Sequence, residues 1–151
     1  MKRVVSLILC VFSLLTLAIP AFAAERSQGN VLYRDEIVLE DGITVIREIT
    51  EVRAARSTDK PYTYGVTVKK GDTVVANVAI SAVFRYDGKT VSVVSKAVAR
   101  QDTYDGWKYT QTSFTSSGGT VTLNAKVSKF LASVPITMNL TCDKNGNISS
   151  S

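Results

Sequence analysis

Apolar and polar residues alternate along most of this chain, and this alternation limits the folds open to it more than any other feature. From Val74 to Tyr86 every even-numbered residue is apolar, whereas the odd-numbered ones include amide, hydroxyl and guanidinium side chains. Successive side chains of a β-strand point to opposite faces, so the pattern predicts a strand with one buried face. The same pattern recurs over 121–127 and 134–142.

Turn residues separate the alternating segments. The glycine-containing pairs that favour tight hairpin turns are Asp41-Gly42, Gly71-Asp72, Asp87-Gly88, Gly118-Gly119 and Asn145-Gly146. The strands predicted between them cover 31–39, 43–53, 62–69, 73–86, 89–100, 106–115, 119–131, 134–143 and 147–150. Short strands joined by short turns form antiparallel sandwiches or barrels, and we favour an all-β antiparallel β-sandwich, immunoglobulin-like in size.

The region before this sandwich differs from it. Asp41-Gly42 predicts an N-terminal β-hairpin, and residues 54–61 have the composition of a linker. An isolated hairpin is marginal in water, so this one adds to the main sheet, pairs with another molecule or stays partly disordered. The predicted organisation is therefore an N-terminal extension over 24–60, with a possible hairpin and linker, and a β-sandwich domain over 61–151.

The first 23 residues have the features of a signal peptide. Lys2 and Arg3 precede an apolar run over 4–19, and Pro20 leads into the small residues Ala21 and Ala23. This is the pattern that signal peptidase recognises, so we expect cleavage after about Ala23 and a secreted, extracellular protein. The mature chain has no predicted transmembrane segment.

The residue types of the mature chain exclude most catalytic chemistry. The chain has no histidine, which removes Ser-His-Asp and Cys-His catalysis and the commonest metal ligand. Cys142 is the only cysteine after the leader, and its alternation points it into the core, as an inert free thiol. The carboxylates between Asp35 and Glu51 are interspersed with arginines, as on a solvated surface of paired charges. We expect no enzyme activity and no cofactor.

Two further classes of ligand find little support. The Asp143–Asn147 segment resembles a calcium loop only superficially, because its glycine is fourth rather than sixth. A tight Asn145-Gly146 turn is the simpler interpretation, so no metal site is predicted. Lysine and arginine outnumber the acidic residues 18 to 13, but they form no long basic run. We therefore predict no nucleic-acid partner.

The aromatic residues Tyr104, Trp107 and Tyr109 are the best sequence candidates for a binding surface. Trp107 and Tyr109 are two residues apart, so they share a strand face on which a sugar ring or a protein could bind. Sandwich domains also bury a central tryptophan, and the sequence leaves both roles open for Trp107. Asp105-Gly106 favours a turn or bulge just before it.

Six segments of the chain form a recognisable set: 66–68, 84–89, 106–109, 117–120, 123–126 and, most specifically, the C-terminal run LTCDKNGNIS over 140–149. Together they resemble a group of small secreted proteins of Gram-positive bacteria. The resemblance implies a signal peptide, a hairpin, a linker and a β-rich domain. The group carries no assigned activity, so the resemblance implies no site residues.

Two functions are compatible with these features. The first is a secreted non-catalytic binding module for a cell-envelope component, such as the cell wall, or for an extracellular protein. The second is a secreted effector or antimicrobial-type protein that self-associates or acts on membranes, because long alternating strands with unprotected edges can pair between chains. The sequence leaves the oligomeric state open.

Overall fold

The computed structural model describes residues 29–52 and 59–151, which form nine β-strands in two antiparallel sheets. The strands are β1 (Asn30–Val38), β2 (Ile43–Glu51), β3 (Asp59–Lys70), β4 (Thr73–Tyr86), β5 (Val91–Thr103), β6 (Lys108–Ser117), β7 (Thr120–Lys129), β8 (Ala132–Cys142) and β9 (Ile148–Ser150). A 3₁₀ turn, Glu40–Gly42, joins β1 to β2. The predicted leader and most of the predicted linker lie outside the described residues.

Each sheet is a meander in which every strand pairs with its neighbour in sequence. One sheet contains β1 to β5, and the other contains β6 to β9. The described chain passes between the sheets in the turn of residues 104–107. The predicted all-β antiparallel sandwich is confirmed.

The core lies between the inner faces of the two sheets. Tyr64, Ile80 and Phe84 from the first sheet are fully buried, as are Leu123 and Met138 from the second. These side chains occupy alternate positions on their strands, so the period-two pattern is confirmed where it is regular. Their removal from water is the main stabilising contribution expected for a domain of this kind.

The N-terminal hairpin is part of the larger sheet. β2 pairs with β3 along its whole length, from Ile43 opposite Lys70 to Glu51 opposite Tyr62. Ile49 on β2 is fully buried, whereas the residues of β1 are almost all exposed. Of the three predicted possibilities, addition to the main sheet is therefore the one observed.

The starts of β3 and β4 differ from the prediction. Asp59–Pro61, predicted as linker, begin β3, and the Asp59 carboxylate accepts hydrogen bonds of 2.7 and 2.9 Å from Arg85 on β4. At the start of β4 the buried residues are Val75 and Ala76, while Val74 is only half-buried. A register shift opposite Val68 and Lys69 breaks the alternation there, because a β-bulge adds one residue to one strand.

The turns gather at the two ends of the sandwich. We call one end the tip end; it carries the turns at 39–43, 71–72, 104–107 and 130–131. The other, the capped end, carries the turns at 87–90, 118–119 and 143–147. At the capped end the two sheets are joined by a hydrogen bond of 2.9 Å from Gly88 N–H to the Lys144 carbonyl.

Candidate functional site

The hairpin between β7 and β8 projects two large apolar side chains into solvent. Lys129 pairs with Ala132, so Phe130 and Leu131 form a two-residue loop. Their exposed fractions are 96% and 103%, the highest among the exposed large hydrophobic residues of the described chain. Single exposed apolar residues are common on protein surfaces, but two adjacent ones that contribute nothing to the core need an explanation.

The backbone of Phe130 adds a second unusual feature. Its φ is +52°, in the left-handed region. The first central residue of a two-residue hairpin loop usually has a positive φ, and glycine or asparagine is favoured there. A left-handed backbone costs any other L-residue about 1–2 kcal/mol. The loop therefore keeps an exposed aromatic residue where glycine would be more stable, and strain of this kind concentrates at functional sites.

The base of this loop rests on the neighbouring turn. Phe130 and Leu131 line a shallow hollow together with Lys70, Trp107 and Lys129. The Lys129 ammonium donates a hydrogen bond to the Asp105 carbonyl, which ties the hairpin to the 104–107 turn. Lys70 and Lys129 therefore lie beside the two apolar side chains. We call the four residues Lys70, Lys129, Phe130 and Leu131 the apolar tip.

The three residues predicted from sequence lie in or next to the same turn, but they differ in burial. Tyr104 is 45% exposed, and its carbonyl accepts a hydrogen bond of 3.0 Å from the Trp107 N–H. Trp107 is only 5% exposed and belongs to the core, so its indole forms the floor below the tip. Tyr109 on β6 is half-buried against the core, and burial raises the pKa of its hydroxyl. Of the three, Tyr104 alone presents a largely open ring.

Charge at the tip end is mixed. Lys70 and Lys129 lie beside the apolar side chains, and Glu40, Asp41, Asp72 and Asp105 lie in the other turns of this end. Asp105 is the acidic residue next to Lys129, which binds its backbone carbonyl. Positive and negative side chains therefore both surround Phe130 and Leu131, with the two lysines in the hollow itself.

A second concave surface crosses the outer face of the larger sheet. This groove of about 630 Å³ runs over β1 to β5, and its charged lining residues are Arg34, Glu48, Lys69 and Arg100. Gly65 leaves space at its centre. No aromatic ring lines the groove, and Arg34 already contacts Glu48 at 3.7 Å. The groove lacks the stacking platform that a sugar site would use.

At the capped end, the polar groups of the 143–147 turn bond to one another and stabilise the turn. The Asp143 carboxylate accepts hydrogen bonds of 2.8 Å from the backbone N–H groups of Asn145 and Asn147 and one of 2.7 Å from the Asn147 amide. These bonds hold the pKa of Asp143 below its usual range. The predicted tight turn is confirmed. Within residues 29–52 and 59–151 no group of three histidine, cysteine, aspartate or glutamate side chains could hold a metal ion.

Cys142 is buried, as predicted. Burial raises the pKa of its thiol to about 11, with a smaller contribution from the nearby Asp143 charge. Because of this raised pKa, the Cys142 thiol is protonated at neutral pH, and it is also shielded from solvent. The reactive form of cysteine is the thiolate, so Cys142 is expected to be unreactive.

The predicted strand over 119–131 is wrong at its end, because β7 stops at Lys129 and Phe130 and Leu131 form an exposed loop. No glycine, asparagine, aspartate or proline marks this turn in the sequence. The one signal was the break in alternation between Val127 and Val134. A two-residue loop made of large apolar residues has no local turn chemistry that a sequence pattern could detect.

Comparison of the chain with protein-family models, with curated proteins and with solved structures yields no match. The part of the chain that the structure describes contains no helix of the length and hydrophobicity needed to cross a bilayer.

Proposed function

We propose that this protein is a secreted, non-catalytic β-sandwich that binds the cell envelope by docking its apolar tip on an anionic lipid surface. The observation that carries the proposal is the complete exposure of Phe130 and Leu131 at a strained hairpin loop. Export is the remaining part of the proposal and rests on the leader over 1–23.

A lipid layer suits the shape and chemistry of the tip. The two side chains form a convex projection, and a deformable layer can cover such a projection without a matching pocket. Burying each large apolar side chain contributes about 1.5–3 kcal/mol. Lys70 and Lys129 lie beside these side chains, and contact with lipid phosphates would contribute about 1 kcal/mol for each lysine at an anionic surface. The half-exposed ring of Tyr104 suits the boundary between headgroups and hydrocarbon.

Flotation with lipid vesicles tests the proposal. The protein is mixed with vesicles of phosphatidylglycerol and phosphatidylcholine, or of phosphatidylcholine alone, and the bound fraction is measured after centrifugation. We expect binding to the anionic vesicles. The double substitution Phe130→Ser with Leu131→Ser should weaken that binding about tenfold or more, because both buried side chains are lost. The exposed Val94 on β5 lies away from the tip, so Val94→Ser is the matched control.

Changes in salt concentration and in lysine charge separate the electrostatic contribution to vesicle binding from the apolar one. Lys70→Gln should weaken binding about fivefold, whereas Lys144→Gln at the capped end should leave it unchanged. One molar salt shortens the screening length to about 3 Å, so it should remove most of the electrostatic contribution to binding. The contribution of the apolar side chains should remain. If the wild type floats with neither vesicle, or the tip variant floats equally well, the proposal is wrong. In the first case a protein pocket becomes the better candidate for the tip's ligand.

A further inference from the structure

The two lateral edges of the larger sheet are protected to different degrees. β5, at one edge, has two register shifts against β4 and approaches β6, where the Lys96 ammonium donates a 3.0 Å hydrogen bond to the Phe114 carbonyl. The same ammonium lies 4.7 Å from the centre of the Phe114 ring. β1, at the other edge, pairs only with β2 among the described strands. Its backbone therefore presents unpaired hydrogen-bonding groups along the other side.

β1 also exposes apolar side chains at both of its ends. Those that are at least 39% exposed are Val31, Leu32, Tyr33, Ile37 and Val38, followed by Leu39 just after the strand. Between the two apolar groups lie Arg34, Asp35 and Glu36. An exposed edge strand with this composition is an opportunity for pairing with another strand, unless its central charges prevent it.

The central charges are complementary to themselves. If two copies of β1 pair antiparallel with Asp35 opposite Asp35, each Arg34 faces Glu36 of the second copy. Each Tyr33 then faces Ile37 of the second copy. Residues that face each other on antiparallel strands point to the same side of the sheet, so both pairs can form contacts. The paired strands therefore have two Arg34–Glu36 contacts and two Tyr33–Ile37 contacts.

The two registers closest to this one are unfavourable. Facing residues of an antiparallel pair lie on the same side of the sheet, so the twofold axis passes through a residue, and the closest alternatives are centred on Arg34 or on Glu36. Centring on Arg34 places two guanidinium groups together, and centring on Glu36 places two carboxylates together. Like charges directly opposite destabilise a strand pair. In the Asp35 register Arg34 faces Glu36, and of the three central charges only Asp35 faces its own copy.

The charge at the centre is already neutralised within each copy. Asp35 accepts a hydrogen bond of 2.9 Å from Arg47 Nε and a second from the same guanidinium, so it faces its symmetry mate as part of an ion pair. Glu36 has no cation within 4.0 Å among the described residues, while Arg34 has Glu48 at 3.7 Å. A second copy would therefore supply Glu36 with its counter-charge.

We propose that the protein dimerises by antiparallel pairing of β1 with β1 of a second copy, with Asp35 at the twofold axis. The two five-stranded sheets become one continuous sheet of ten strands. The contact is isologous, as in most symmetric dimers. This inference does not rest on the lipid-binding proposal, because it uses a different edge of the molecule.

Charge reversal tests both the dimer and its register. Sedimentation equilibrium of the wild type should give the mass of two chains at concentrations where Glu36→Arg and Arg34→Glu are each monomeric. Each single variant brings like charges together twice, which should weaken dimerisation about tenfold or more. An equimolar mixture of the two variants should regain the dimer mass, because each Arg then faces a Glu across the axis.

Arg100→Glu on β5 is the matched control and should remain dimeric, since it reverses a charge on the protected edge. Circular dichroism establishes that every variant is folded. A monomeric wild type at all concentrations would overturn the proposal. So would a dimer that survives both single variants, or a mixture that stays monomeric.

Discussion

The chain reverses direction at both ends of the sandwich, but the turns at the two ends are stabilised differently. At the capped end, the 143–147 turn uses Asp143 to accept backbone hydrogen bonds, and Gly146 packs directly against the Tyr86 ring. At the tip end, the 130–131 turn has no such cap, and it holds Phe130 at a positive φ with its side chain in water. One turn is stabilised by local hydrogen bonds, and the other holds exposed apolar side chains on a backbone conformation that costs stability.

The contrast between the two turns indicates which residues of this fold to examine for a function. Residues that agree with local preference, such as glycine at a positive φ, say little beyond the fold. Residues that conflict with it persist when another requirement holds them there. Phe130 is such a residue, and substitutions at either end of the sandwich test the contrast between the two turns.

The largest expected effect is at the capped end. Gly146→Ala should destabilise the fold by about 3 kcal/mol, because a Cβ would overlap the Tyr86 ring and the residue has a φ of +88°. Chemical denaturation measures the change in the free energy of unfolding. The control is Gly42→Ala, which also has a positive φ, of +68°, but has open space around its Cβ. Equal destabilisation of the two variants would show that the contact with Tyr86 contributes nothing.

A smaller effect should follow from removing the Asp143 cap. Asp143→Ala should lower the melting temperature at pH 7, because three hydrogen bonds to the carboxylate are lost. The folded pKa of Asp143 is lowered, so its contribution is present above the unfolded pKa of about 3.9 and is lost as the pH falls through the folded pKa. Wild type and variant should therefore converge in strong acid.

Asp72→Ala provides the reference for this pH series, since Asp72 is exposed in the β3–β4 turn. Its melting curves should match those of the wild type across the series. A difference between wild type and Asp143→Ala that stayed constant down to pH 2 would contradict the role assigned to the carboxylate.

Most of the fold could be predicted because local and long-range requirements agree. The strand over 73–86 was predicted with the bounds that the structure shows, since alternation defines its faces and turn residues lie at both ends. Val75 could not be predicted as buried, because its bulge depends on how β3 pairs with β4. The tip could not be predicted either, as its turn lacks every residue that favours turns. Burial of Trp107 depends on the packing of the two sheets, which no local pattern describes.

The two proposed surfaces have a joint consequence. Antiparallel pairing of β1 would place the two tips at opposite ends of the dimer, so one flat membrane could contact only one of them. A dimer with two active tips would therefore link vesicles together, whereas Glu36→Arg would bind vesicles without linking them. Turbidity of the vesicle suspension distinguishes the two outcomes.

The most direct test of the central claim is the binding of Phe130→Gly to anionic vesicles, measured alongside its stability. Glycine accepts the positive φ, so the variant should be as stable as the wild type or more stable by up to about 1 kcal/mol. Its vesicle binding should nevertheless fall about tenfold, because the exposed aromatic ring is gone. Unchanged binding, or a clear loss of stability, would contradict the account of a strained loop that presents Phe130 to a ligand.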